Sequence, residues 1–459
     1  MSLLAGGPVA APAEGTDRYR AEYERRAAAR SAEPAWLGSA RQTALERFQA
    51  TGFPSTREED WRFTNVAPIA RTAFRSAPER DVRRVSRPDL AALTFAQGEG
   101  EGPRIVFVDG RHAPELSSSN DTEGLEVRSL REVIAREPQR LQALLGRDTS
   151  TGGPFPALNT ALFDDGAFVH ARPGTVVAAP VQVVFLSTGG DGEPTASYPR
   201  TVVVAGRASQ LTLVESYGGP EGARYLTSAV TDVVAEDGAV VDHYKVQRES
   251  TSAYHVGSMT VRQGRSTGFS SHSIALGAAL ARNDVDQAFT GEGGECVLNG
   301  LFMAGGSQHL DTHTRIDHAV PQCTSRELYK GVLDGRARGV FVGRVLVRPG
   351  ASKTDAHQTN KNLLLSREAL VDSLPQLEIL TDDVKCKHGS TTGQLDPGAL
   401  FYLRSRGLPE AAARSLLVYA FASDLIARVK VKALRAGLER YLQSHLPSPL
   451  DGDAKEAAL

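Results

Sequence analysis

The sequence predicts a mainly β chain with helical ends, its centre built as one elongated solenoid of stacked coils. Three observations lead there. Across residues 159–393, short segments rich in Val, Thr and Ile alternate with Gly turns. No convincing helical stretch interrupts them, and helical spacing returns on both sides. Over two hundred residues of this kind leave a sandwich, a closed barrel or a solenoid. A sandwich of that length would normally be two domains, and no linker composition divides the region, so the solenoid is preferred.

Residues 1–100 read as an N-terminal helical domain. TDRYRAEYERRAAARS and GSARQTALERFQA have amphipathic spacing, with Thr16 or Asp17 available to cap the first. In FPSTREEDWRFTN, Thr56 and Glu59 have capping-box spacing, and Trp61 and Phe63 are apolar anchors for docking the head onto something larger. Residues 101–158 form a connecting α/β segment: RIVFVDGRHAPEL reads as strand, Gly turn and extended return, and LREVIAREPQRLQALLG as helix. Within 159–393, Val181, Val183 and Phe185 share one strand face, and Leu211 and Leu213 repeat that period of two. Gly174, Gly206, Gly238, Gly264, Gly294 and Gly335 punctuate the region. Residues 394–459 form a C-terminal helical domain. Asp396 is an N-cap with Pro397 at the first helical position, Gly407 is a stop, and Pro409 opens a long helix. Its stretch Leu416–Ala422 is apolar all round, so it needs cover on more than one side, from the β-body or from another subunit. Leu434, Leu438, Tyr441 and Leu442 continue an apolar face. The helical ends are expected to cover the open ends of the solenoid.

Composition narrows the partners. With 52 Lys+Arg against 54 Asp+Glu among 459 residues, the net charge is -2, which gives no electrostatic ground for nucleic acid or an anionic membrane. The three cysteines, Cys296, Cys323 and Cys386, show no CxxC spacing, which suits a reducing cytoplasm better than a disulfide framework. The opening MSLLAGGPVAAPAEG is a poor signal peptide, and the longest unbroken apolar stretch is too short for a bilayer. There is no GxxxxGK[ST] loop, no GxGxxG between strand and helix and no GxSxG, so nucleotide hydrolysis, dinucleotide binding and serine hydrolysis are not indicated.

Two stretches carry candidate ligands. In QHLDTHTRIDH, alternation puts His309, Asp311, His313, Arg315 and Asp317 on one face and Leu310, Ile316 and His318 on the other. With Arg315 among them, the expected reading is a solvated polar face rather than a metal site. In DDVKCKHGSTTGQLD, Cys386 and His388 share a face with Cα atoms roughly 6.5 to 7 Å apart. They could share one ion but supply only two of four usual ligands. Asp355 and His357 of a neighbouring coil, or another chain, would have to complete the set, and Lys385 and Lys387 would favour the thiolate if close. A small buried cysteine beside a histidine remains the alternative. Cys296 and Cys323 are expected as core or turn residues.

The run SRELYKGVLDGRARGVFVGRVLVRPGASKTDAHQTNKNLLLS, followed by PQLEILTDDVKCKHGSTTGQLDPGALFYLRSRGLP, resembles the SufB/SufD family of iron-sulfur cluster assembly proteins, on its SufD side. REEDWRFTN, RIVFVDGR and ALNTALFDDGAFVH are similar to its N-terminal and connecting segments. The resemblance implies a right-handed parallel β-helix between helical domains and a scaffold rather than an enzyme. It implies pairing with SufB, docking of the ATPase SufC on the C-terminal helices through Leu416, Leu417, Tyr419 and Phe421, and sulfur from a cysteine desulfurase. No cofactor would be stably bound alone. Iron or a nascent cluster would be held transiently by Cys386 and His388 at the SufB interface, with the missing ligands from that partner; the isolated chain could form a homodimer. Lys387 departs from the small residue common there, and alternation points it away from the ligand face. Two other classes stay open: a cytosolic β-solenoid enzyme acting on polysaccharide through QHLDTHTRIDH, and a purely structural partner whose Cys386 touches no metal.

Overall fold

The computed structural model describes residues 15–77, 85, 90–91, 102–118, 122–145, 153–189 and 193–445, and the stretch weighed as a signal peptide lies almost wholly outside them. From Arg200 onward, successive strands enter two sheets in turn, one of 11 strands and one of 10, and within each sheet these neighbours pair in parallel. Thr324 is in register with Asp355 and Asp355 with Lys385, so one coil takes about 30 residues. The result is a solenoid of about 8 turns with helices at both termini. Gly238 and Gly335 sit at turns with φ of 72° and 63°, a region that side chains with a Cβ seldom adopt. Strands Arg104–Val108 and Leu125–Ser129 already belong to the two sheets, and Asp109–Gly110 makes the tight turn into the return strand Arg111–His112.

The lumen between the sheets is filled by the inward rows. Val181, Val183, Phe185, Leu211 and Leu213 all lie in this core, as their period of two predicts. Farther along, Tyr329 lies against Gly300, where an added Cβ would come within 2.0 Å of its ring. The outer face of the 11-stranded sheet carries Val202, Leu226, Val256 and Leu280, which bury helices Asp17–Arg25, Ala35–Thr51 and Pro154–Leu162. The last of these helices, PFPALNTAL, has no counterpart in the sequence reading. The outer face of the 10-stranded sheet carries Tyr244, Val246, Ile274 and Leu301, on which helices Glu410–Ile426 and Lys432–His445 rest.

Two expectations need correction. The capping box lies one residue earlier than its spacing suggested: Glu58 accepts from the Ser55 N–H at 2.8 Å and precedes only the short 3-10 turn Glu59–Trp61. The terminal helices also do not cover both ends of the solenoid. Apolar outer rows on both sheets draw them onto the faces instead, and the last coil, strands Leu370–Ile379 and Val384–Gly393, stands open. Among the described residues nothing pairs with its outer edges. Leu370 and Leu380 donate their N–H groups inward to Ala337 and Val347, so by alternation Pro375 turns its missing N–H toward the free edge.

Candidate functional site at the open coil

Strand Val384–Gly393 places the paired candidates where the solenoid ends. Val384 and Cys386 pack against the luminal core, and alternation puts His388 on the same inward face, exposed at the open coil. Cys386 is half-buried, and burial pushes its thiol up; the Ala356 N–H opposes this and the Asp355 charge adds to it. Register decides the neighbours. Cys386 lies beside Ala356 and His388 beside Gln358, whereas Asp355 and His357 lie beside Lys385 and Lys387 on the outer face. Asp355 and His357 therefore cannot complete the ligand set, and the two lysines do not favour the thiolate. On that outer face Asp355 is held by Arg326 at 2.7 Å and His357 at 3.3 Å. Among the described residues no group of three or more His, Cys, Asp or Glu could hold a metal ion. Among the described residues the open end thus presents Cys386 and His388 on one face.

Polar side chains continue inward from them. Ser390 and Ser373 share a 2.7 Å hydrogen bond across the lumen, and Ser373 donates to Asn360 Oδ1 at 2.7 Å. Gln358 Nε2 donates to Glu327 Oε2 at 2.6 Å.

The face His309–Asp317 is solvated only in part: the Arg315 side chain is 42% exposed, whereas Asp311 and Asp317 are buried. Asp311 is 3% exposed because segment Asp60–Thr64 lies on it. Thr64 Oγ1 donates to Asp311 Oδ2 at 2.6 Å, Arg282 Nη1 lies 3.0 Å from the same oxygen, and His313 Nε2 lies 3.1 Å from Oδ1. Trp61 then stacks under the Arg282 guanidinium at 3.8 Å, and the Asp60 carbonyl accepts from Arg282. Burial works against the Asp311 charge, but His313 and Arg282 outweigh it and hold the carboxyl below the usual range. Trp61 is thus the docking anchor, and Asp311 is closed off beneath it. Leu310, Ile316 and His318 are buried on the inner face as predicted.

Sequence reading missed a third cluster, deep in the lumen. His243 Nε2 lies 3.0 Å from Glu215 Oε2, and its Nδ1 lies 2.9 Å from Ser271 Oγ. Lys245, held down at about 8 by burial, donates to Asn283 at 2.8 Å, and His255 pairs with Glu249 at 2.7 Å. Serine, histidine and glutamate are in relay order, yet the adjoining cavity is about 10 Å³, room for one water and no acyl substrate. Strand alternation could have put these residues inside, but not in contact. Cys296 and Cys323 are buried, as expected of core and turn residues.

On helix Glu410–Ile426, Val418, Ala422, Leu425 and Ile426 face the β-body, which supplies cover for much of the apolar stretch. Tyr419 and Phe421 are half-buried there, and Lys330 sits over the Phe421 ring at 4.8 Å. Leu417 is half-buried, while Leu416 is 45% exposed, alongside Phe401 at 75% and Tyr402 at 57% on helix Pro397–Ser405.

Residues 185–421 match the family model for the SUF system FeS cluster assembly SufBD core domain, which takes in every strand from Arg200 to the open coil. The chain belongs to the SufBD family. Residues 14–183 match the SufBD protein N-terminal region. An iron-sulfur cluster assembly SufBD family protein of Synechocystis is 32% identical over 413 residues, 88% of this chain and 90% of its own. The iron-sulfur cluster assembly protein SufD of Escherichia coli is 31% identical over 417 residues, 90% and 93% of the two chains. SufD of Bacillus subtilis is 26% identical over 432 residues, 91% and 95%. This SufBD chain is a SufD-like iron-sulfur cluster assembly protein, and no described helix is long and apolar enough to cross a membrane.

Proposed function

We propose that this SufD-like chain is a cytoplasmic scaffold subunit that pairs with SufB through its open coil and contributes Cys386 and His388 to the place where a cluster is built. The observation that carries the reading is the coincidence of the Cys386/His388 pair with the unpaired edges of the last coil. A partner strand added to either edge would satisfy backbone groups and bring further ligands beside the two present. Iron and sulfide are cargo here, the sulfide supplied through a cysteine desulfurase and held only until transfer. Before the thiol can ligate it must lose its proton, which its burial resists, so ligation is favoured by the arrival of a cation rather than by a standing thiolate.

The exposed Phe401, Tyr402 and Leu416 form the surface offered to the ATPase SufC; of the four residues the sequence suggested it keeps Leu416, because Leu417, Tyr419 and Phe421 are partly buried, and it adds Phe401 and Tyr402. ATP hydrolysis belongs to that partner. The test is anaerobic reconstitution of the complex co-expressed with SufB and SufC, comparing the wild type with Cys386→Ala and His388→Ala by iron and sulfide content. Loss of cluster from an intact complex is expected. Unchanged cluster in both variants would reduce the chain to a structural partner.

A further inference from the structure

Behind His388 the lumen holds a carboxyl group that no cation among the described residues balances. Register aligns His388 with Gln358 and Gln358 with Glu327, so the three follow one another down a single inward row of the 10-stranded sheet. Glu327 is 4% exposed. One carboxyl oxygen accepts from Gln358; the other, Oε1, has only the Thr314 hydroxyl of the opposite sheet beside it, and Gln358 Oε1 has no hydrogen-bond partner. The Thr314 hydroxyl and the Gln358 amide thus face two carboxyl oxygens and an unpartnered amide oxygen, for which a proton on the carboxyl would be a further donor.

The titratable groups on the packed elements around it are Cys296, Tyr329 and His318. Burial pushes the Cys296 thiol and the Tyr329 phenol well up and holds the His318 imidazole down at about 4, so all three are neutral at pH 7. Burial accordingly lifts Glu327 itself to about 7. Space for the arrangement comes from Gly343, where an added Cβ would stand 2.2 Å from Gln358 Nε2.

We propose that Glu327 is a further residue of the Cys386/His388 end: a carboxyl that holds a proton more tightly while that end is empty than when the end carries a cation. The proposal rests on the reading above only for the nature of the cation. Two strand spacings, about 10 Å, separate His388 from Glu327 along the row. At that distance a unit charge in a partly screened interior changes the other group's affinity on the order of tenfold. The coupling is reciprocal: a cation arriving at the end favours release of the Glu327 proton to solvent, and an ionised Glu327 tightens the hold on the cation.

The test needs no metal. Infrared spectra of the full chain are titrated with pH, and the protonated-carboxyl band missing from Glu327→Gln is assigned to Glu327. His388→Lys then places a fixed positive charge at the open end. The expected result is a band midpoint about one pH unit lower in His388→Lys than in wild type or His388→Ala. An unchanged midpoint, or no band attributable to Glu327 at pH 6, overturns the proposal. Iron content of the SufB complex is read separately: retained iron with an unmoved midpoint sinks this inference and leaves the assembly reading, whereas a moved midpoint with no iron retained does the reverse.

Discussion

Replacing Glu327 with Gln should change the pH dependence of folding in a direction fixed by burial. In the folded chain the carboxyl holds its proton up to about pH 7, whereas an unfolded glutamate releases it near the ordinary 4.5. Between those values the folded state binds more protons than the unfolded one, so this group makes stability fall as pH rises. Its cost is absent below pH 4.5 and complete above pH 7. The difference of about 2.5 pH units corresponds to about 3 kcal/mol, a large fraction of the net stability of a folded domain. Gln has nearly the same shape and no charge, so the variant lacks this slope; any fixed penalty from the amide is the same at every pH. Urea denaturation of both proteins at intervals from pH 5 to pH 9 reads the effect. The stability of Glu327→Gln minus that of wild type should grow by about 2 to 3 kcal/mol over the range and then level off. A constant difference would refute the reasoning, because it would mean that Glu327 is ionised throughout or finds a cation in the lumen.

Gly343→Ala should push its new methyl into Gln358, costing about 1 to 3 kcal/mol in denaturant midpoint and parting Gln358 from Glu327. Trp61→Ala should cost about 3 to 5 kcal/mol and, by uncovering Arg282 and Asp311, open segment Asp60–Thr64 to trypsin at Arg62 in limited proteolysis. Phe401→Ser combined with Leu416→Ser lies on exposed helix surface, so melting should shift by no more than about 0.5 kcal/mol while SufC recovery in co-purification falls at least about tenfold. Unchanged SufC recovery would move the docking surface elsewhere.

The solenoid was legible because its signal is local: a period of two within each strand and glycine at the turns. Cys386 and His388 were legible as a pair for the same reason, since alternation needs only neighbouring residues. What alternation cannot supply is the partner across a coil. Asp355 and His357 stand close in sequence terms to a plausible ligand set, yet register puts them beside Lys385 and Lys387 on the outer face. Polar residues on a strand face look alike whether water or another segment covers them, so nothing in QHLDTHTRIDH announces that Thr64, far away along the chain, will close over Asp311. Glu327 was hidden by the same limit. SRELYKGVL places Ser325, Glu327 and Tyr329 on one side, but an inward acid is recognised only when the opposite sheet is seen to bring Thr314 rather than an arginine.

Pro375 bears on a hazard every open-ended solenoid faces. A last coil with free edges is a template onto which the next extended segment can grow, and copies joined end to end in one rotational sense would lengthen without limit. The proline removes one donor from the middle of one edge, so an indiscriminate strand meets a gap wherever it slides, and only a partner shaped around that gap loses nothing. A single ring in the outermost strand thereby favours a finite, selective assembly over a fibre.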